Sequence, residues 1–333
     1  MSDNIINRTP LPPGLSLIDL PSPRAGFERF ITSWYFKDAL GQRVLVDVGP
    51  ACTVPLLFDR LAELTDGVDL ILLTHIHLDH SGGLGQVCDR YKDARVLVHP
   101  KGVKHLVSPE KLWKASLETL GDVAEMYGKP EPVAPDRFVD AASVQGTSSP
   151  IDVIETPGHA PHHLCFAMPL NGEKLFFIGE AAGFYLPVDG KTPYLRPTTP
   201  QRFDGAAAMA SIRRIELALT GDELLCYAHW GAARQAKDMV ETASRQIRLW
   251  LDAVSDNPKA AGVVDMMIAA DPNLASFPSL PDDLKKRERF FMLNSVKGMA
   301  DYLTRAGEQA PEGSRTPEGS QTQEGSQTPG AGK

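Results

Sequence analysis

The chain holds no apolar run that approaches the ~18–20 residues of a membrane span. Its first residues, Met1-Ser2-Asp3-Asn4-Ile5-Ile6-Asn7-Arg8, lack the apolar core of a secretion signal, and the expected address is the cytoplasm. Cysteine is scarce as well. The four present, Cys52, Cys88, Cys165 and Cys226, show neither the spacing of a disulfide framework nor that of a thiolate metal site, and read as small buried residues. Positive charge is also in short supply. Against 42 Asp and Glu stand 34 Lys and Arg, a formal net charge of −8, whereas a polyanion calls for a basic stripe. The cluster Lys285-Lys286-Arg287-Glu288-Arg289 is the sole candidate, and it reads as the solvated face of a helix. Neither nucleic acid nor a membrane is an expected partner.

What is present is concentrated. Thr74-His75-Ile76-His77-Leu78-Asp79-His80-Ser81-Gly82-Gly83 packs three imidazoles and a carboxylate into six positions, directly after the apolar run Leu70-Ile71-Leu72-Leu73. Left unpaired at the mouth of a buried strand, such groups carry a desolvation penalty that a core cannot offset. A bound ion removes it. His75 and His77 lie two apart, so in an extended segment they face one side and can grip one metal. Asp79 and His80, where the chain turns into a helix, can reach a second.

The pattern H-x-H-x-D-H after an apolar strand resembles the signature of the metallo-β-lactamase fold superfamily of hydrolases, and further motifs follow in order. Thr156-Pro157-Gly158-His159, after Ile151-Asp152-Val153-Ile154, is similar to the family's T-P-G-H turn. Leu175-Phe176-Phe177-Ile178-Gly179-Glu180 is similar to the strand whose terminal carboxylate bridges two metals. Leu224-Leu225-Cys226-Tyr227-Ala228-His229-Trp230-Gly231 is similar to the last strand, and Val44-Leu45-Val46-Asp47-Val48-Gly49 to an early strand ending in D-x-G. The resemblance covers roughly residues 15–235. It implies a first metal on His75, His77 and His159, a second on Asp79, His80 and His229, and Glu180 between them. The family usually has aspartate at the bridge. Glutamate, one methylene longer, can still bridge while changing the spacing or favouring one site, and a single-metal site is the rival reading.

Five imidazoles and two carboxylates, with no thiolate, suit zinc and also iron or manganese. Zinc is the default for hydrolysis because it has no redox chemistry and keeps an open coordination position. Two ions ~3.5–4 Å apart would share a water and lower its pKa towards ~7. The resulting hydroxide would attack an acyl carbon while the ions stabilise the oxyanion. Asp79 would then act as the catalytic residue, orienting the nucleophile and passing its proton towards the leaving group.

Strand-like and helical runs alternate in two halves, each ending in candidate ligands, which suits an α/β fold of the αββα sandwich type. Strands are expected at 43–48, 69–73, 95–99, 151–155, 163–168 and 174–178, with Asn171-Gly172 as a hairpin turn. Helices are expected at 55–64, 84–91, 201–219, 232–254, 262–270 and 284–303. The catalytic domain is expected to span 1–235, with a helical insertion at about 100–136 that either packs on the sandwich or lines the mouth of the site. Ser108 there reads as a helix cap, followed by Pro109 and Glu110. Residues 181–200 read as an irregular loop whose Tyr185, Tyr194 and Arg196 are candidate substrate contacts. His163 bonds a core group or faces substrate, while His99 and His105 read as structural or solvated, and exposure is the default for His162. A helical extension at 236–305 resembles the glyoxalase II-like and quinolone-signal thioesterase-like branch, and offers a homodimer or docking surface. The Gly/Ser/Pro/Gln-rich repeats from about 306 to 333 are expected to be disordered.

Three functions follow as expectations. The first is a binuclear hydrolase of an ester, thioester or lactone of a small acyl compound. The second is an iron-dependent persulfide dioxygenase-like enzyme using His75, His77, His159 and Glu180. The third is a low-turnover sensor or partner-binding protein that keeps the metal site.

Overall fold

The computed structural model describes residues 9–140, 151–257 and 262–309. In chain order the first half runs β1 (Ser16–Asp19), β2 (Thr32–Lys37), β3 (Arg43–Val46), α1 (Val54–Leu64), β4 (Leu70–Leu72), α2 (Leu78–Ser81), α3 (Leu84–Arg90) and β5 (Arg95–Leu97). The insertion α4 (Pro100–Val107), α5 (Glu110–Leu120) and α6 (Asp122–Tyr127) precedes β6 (Phe138–Val139). The second half runs β7 (Asp152–Glu155), β8 (Leu164–Leu170), β9 (Glu173–Gly179), β10 (Phe184–Leu186), β11 (Tyr194–Arg196), α7 (Gly205–Ala218), β12 (Leu224–Tyr227) and β13 (Ala232–Ala233). Helices α8 (Ala236–Asp256), α9 (Val263–Ala270) and α10 (Asp282–Gln309) follow.

Two sheets form the frame, ordered β1-β2-β3-β4-β5-β6 and β13-β12-β9-β8-β7. Alternation along the strands sorts their side chains into two layers. Val44, Val46, Leu70, Leu72, Leu175 and Phe177 lie in the layer between the sheets. Leu45, Ile71, Phe176 and Ile178 point the other way, into the layer under the helices. Each such fully buried side chain contributes roughly 1.5–3 kcal/mol. Phe36 stacks on Phe177 across the sandwich at 5.6 Å, and Trp34 Nε1 donates to Tyr227 O at 2.9 Å. Asn171 and Gly172 turn β8 into β9 with φ of +50° and +84°, the geometry a tight hairpin needs.

The structure departs from the sequence expectations at several places. β1 and β2 were not anticipated. Residues 181–200 hold the antiparallel hairpin β10–β11 in place of an irregular loop. Ser108 ends α4 instead of capping α5, whose N-cap is Pro109 without a side-chain bond. Ala232 pairs with Cys226 as a strand before α8 begins. α10 continues to Gln309, past the expected start of the tail; the rest of the repeats lies outside the described residues. Arg287 and Glu288, expected on a solvated face, are buried. Among the described residues no helix is long and apolar enough to cross a membrane.

Candidate metal centre

Every candidate ligand sits at or just beyond the end of a strand. The turn after β4 carries His75 and His77, and α2 begins after His77 and carries Asp79 and His80. The β7–β8 turn supplies His159, the end of β9 supplies Glu180, and the β12–β13 turn supplies His229. Two groups result: His75, His77, His159 and Glu180 in one, Asp79, His80 and His229 in the other, with the ligand atoms of each within 4.8 Å of one another.

Glu180 joins the groups. Its Oε2 lies 3.2 Å from His75 Nε2, 3.3 Å from His80 Nε2 and 3.0 Å from His159 Nε2. Its Oε1 lies 3.3 Å from His229 Nε2. Asp79 Oδ2 approaches His80 and His229 Nε2 at 3.6 and 3.5 Å, and His77 Nδ1 meets His159 Nε2 at 3.0 Å.

The outer nitrogen of four of these rings is already engaged. His75 Nδ1 meets Thr74 Oγ1 at 3.1 Å, and His80 Nδ1 meets Asp47 Oδ2 at 3.1 Å. His159 Nδ1 donates to Thr198 O at 2.9 Å, and His229 Nδ1 donates to Phe30 O at 3.0 Å. A ring that gives its Nδ1 proton outward turns an Nε2 lone pair inward. Among the described residues the buried Nε2 atoms of His75 and His80 accordingly have no hydrogen-bond partner. Converging lone pairs beside carboxylates fit a divalent cation, and the donor set of nitrogen and oxygen suits one.

Asp47 organises the turn just beyond β3, with φ of +54°. Its carboxylate accepts Thr74 N and Thr74 Oγ1 at 2.8 Å each as well as the His80 ring. The sequence marked Asp47 within its D-x-G motif but not this duty. Thr198 and Phe30 were missed altogether, since they act through backbone carbonyls that leave no residue signature.

Electrostatics follow from burial. Desolvation, reinforced by the His80 charge, holds His75 well below the usual histidine range. Burial and the neighbouring His159 push His77 down to about 4. At Glu180 burial favours the acid form, but His159 and His229 outweigh it and keep the carboxylate ionised. Burial also opposes the His80 cation, yet Asp79, Asp47 and Glu180 prevail and raise its pKa. Metal binding requires neutral imidazoles and ionised carboxylates; His75, His77 and Glu180 already lean to those states, whereas His80 must give up a proton to an incoming cation.

A model of the metallo-beta-lactamase superfamily matches residues 26–229. The chain belongs to that superfamily. The metallo-beta-lactamase fold-containing protein ST1585 of Sulfurisphaera tokodaii is 33% identical over 177 residues, 50% of this chain and 62% of that protein. A hydroxyacylglutathione hydrolase of Stenotrophomonas maltophilia is 29% identical over 149 residues, 44% of this chain and 46% of its own length. An atrochrysone carboxyl ACP thioesterase of Aspergillus chevalieri is 28% identical over 163 residues, 46% of this chain and 41% of its own length. The chain thus spans less than two thirds of these curated relatives. The solved structure of ST1585 superposes with a TM-score of 0.63 at 24% identity, covering 86% of this chain and 98% of that one, which supports the metallo-beta-lactamase fold.

Within this superfamily frame the expected substrate contacts need correction. Hairpin pairing sets Phe184 opposite Arg196 and Leu186 opposite Tyr194, and Arg196 reaches Glu288 on α10. Arg196 is 2% exposed, and its Nε donates to Glu288 at 2.5 Å. Tyr194 is fully buried, edge-on to Phe184. Tyr185 stacks on Tyr227 at 5.0 Å as a packing residue. His163 is also fully buried and bonds core groups, the first of its two expected roles. His99 caps α4, accepting from Lys101 N at 3.1 Å. His162 is half-buried, with its ring 5.9 Å from that of His77.

Proposed function

We propose that the chain is a divalent-metal hydrolase that cleaves an ester, thioester or lactone of a small acyl compound. The observation that carries this reading is Glu180, whose two oxygens lie 3.0–3.3 Å from four imidazoles drawn from both ligand groups. His75, His77 and His159 would hold one ion and Asp79, His80 and His229 the other, with Glu180 shared and zinc the default. Bound ions there would supply Lewis acidity and an activated water at neutral pH.

The protein's own groups do the rest. His77 and Asp79 are the ligand-set residues with partial exposure, so the substrate carbonyl enters on their side. Asp79 turns Oδ2 towards His80 and His229, and its other carboxylate oxygen would be free to hold a proton and release it to a leaving group. The Asp47 carboxylate and the Thr198 and Phe30 carbonyls keep the imidazoles from turning. Relatives named for hydroxyacylglutathione hydrolysis and for acyl-carrier thioester cleavage support acyl chemistry. The net charge of −8 favours a small molecule over nucleic acid.

The test joins metal analysis to a substrate panel. Chelated protein reloaded with zinc, manganese or iron is assayed on S-acylglutathione thioesters, aryl esters and acyl-homoserine lactones. Turnover with up to two metal equivalents, abolished in His77→Ala, is expected. A fully loaded protein inert across the panel would sink the reading. Oxygen uptake with glutathione persulfide by the iron form would replace it with redox chemistry.

A further inference from the structure

His163 does not face substrate, yet its contacts form a directed circuit. Glu180 N–H donates to His163 Nε2 at 3.0 Å. A backbone amide can only donate, so Nε2 must be the bare nitrogen and the neutral ring carries its proton on Nδ1. Nδ1 donates to Thr156 Oγ1 at 2.7 Å. The hydroxyl then gives its own proton to Cys165 Sγ at 3.3 Å. The thiol donates onward to Ile178 O at 3.3 Å. One amide thus fixes the direction of every bond in the series.

The two ends of this circuit, Ile178 O and Glu180 N, flank Gly179. That glycine has φ of +58°, and a Cβ there would run into His163 Nε2. The left-handed turn and the imidazole therefore fit each other, and no larger residue can stand at 179 without moving one of them. On the other side Thr198 Oγ1 donates to Glu180 O at 3.1 Å. Glu180 is held at its N–H and at its C=O by side chains from outside its strand. Thr156, His163 and Cys165 are all buried, and none belongs to the candidate ligand groups.

We infer that Thr156, His163 and Cys165 are positioning residues that fix the backbone of Glu180, and through it the carboxylate shared by the two ligand groups. The inference rests on the metal-hydrolase reading above. A glutamate has one more rotatable bond than an aspartate, so its carboxylate position depends more on a firmly held backbone. Partners one step behind metal ligands commonly govern affinity by 10–100-fold. The circuit gives that effect a route: when it opens, the turn at Gly179 relaxes and the carboxylate leaves the midpoint of the four imidazoles.

The experiment compares metal affinity in Thr156→Val, which keeps the shape and loses the hydroxyl, with Thr156→Ser, which keeps the hydroxyl. Zinc binding to the full chain is measured by competition with a chromophoric chelator, without substrate. Thr156→Val should bind about 10–100-fold more weakly, and Thr156→Ser should stay close to the wild type. Phe166→Leu, a buried change on β8 facing between the sheets, should lower stability while leaving zinc affinity in place; equal losses in Phe166→Leu and Thr156→Val would reduce the circuit to general stability. Nitrogen-15 NMR of the wild type should show His163 as a single Nδ1–H tautomer, and the opposite tautomer would overturn the inference even if a variant failed to fold. Equal zinc affinity in Thr156→Val and wild type would refute the circuit alone. A wild type that takes up no divalent metal would refute the hydrolase reading together with it.

Discussion

Glu288 is the residue whose loss should be felt most widely outside the ligand set. It is fully buried on α10, and its carboxylate accepts Arg196 Nε at 2.5 Å and Arg287 Nε at 2.7 Å. Burial pushes its carboxyl group up, but the two guanidiniums prevail and hold it below the ordinary carboxylate range. Glu288→Leu removes one negative charge from between two buried positive ones. Breaking a buried pair in this way costs about 3–5 kcal/mol, a large share of the roughly 5–15 kcal/mol that holds a domain folded. Arg287 also donates to Gly26 O and Glu28 O at 2.6 and 3.1 Å. A triple variant, Arg196→Met with Arg287→Met and Glu288→Leu, should therefore recover only part of the loss, because those carbonyls stay unpaired. Urea unfolding of the chelated proteins measures both changes. A Glu288→Leu protein within about 1 kcal/mol of wild type would refute the argument that desolvated charge dominates here, as would a triple variant less stable than the single one.

Two further perturbations test other links. Glu223 is fully buried just before β12; burial raises its pKa, but the Thr220 hydroxyl and the Thr220 and Gly221 amides bring it down to about 2. A folded pKa below the unfolded one adds stability above the unfolded value and loses it as pH falls through the folded value. Wild type should therefore lose on the order of 3 kcal/mol relative to Glu223→Gln between about pH 4.5 and 2, read as the difference between their acid-unfolding curves; superimposable curves would rule this out. Asp47→Asn keeps the size of the side chain but gives up the charge that holds the His80 ring and both Thr74 donors. Zinc affinity should fall about 10–100-fold in a chelator competition, and an unchanged affinity would mean that the rings are oriented by packing alone.

The site was legible because its donors are local in sequence. His75, His77, Asp79 and His80 fall within six positions, and three further motifs carried the remaining candidates in order. β2 was missed for a physical reason: five of its six residues are buried, so the half-buried alternation that marks a strand is absent. The β10–β11 hairpin has strands of only three residues, β10 ending just before Pro187 and β11 set between Pro193 and Pro197, too short for any period to show. Arg196 illustrates a different gap. A guanidinium that binds a ligand and one that pairs with a buried carboxylate look alike in sequence, and its partner Glu288 lies 92 residues away. The charge run at 285–289 misled in the same way, because Arg287 and Glu288 turn inward while Lys286 and Arg289 stay exposed with their own acidic partners.

These buried charges place the last helix at the centre of the argument. Phe30, whose carbonyl orients His229, has its ring stacked 4.4 Å from that imidazole. The Arg287 guanidinium lies 4.5 Å from the same Phe30 ring. α10 therefore supports one ligand group through an aromatic layer. It supports the other through a different contact: Thr199 Oγ1 donates to Ser295 O at 2.9 Å, and Ser295 Oγ donates to Pro197 O at 3.0 Å. Those bonds bracket Thr198, whose carbonyl orients His159 and whose hydroxyl holds Glu180 O. Gly298 lets the helix approach this strand end closely, since a Cβ there would collide with Thr199 O and Pro200 O. The ligands come from the sandwich, but the orientation of two of the four anchored rings depends on a helix that lies beyond the last of them in sequence. The C-terminal helical region is thus part of how the centre is built.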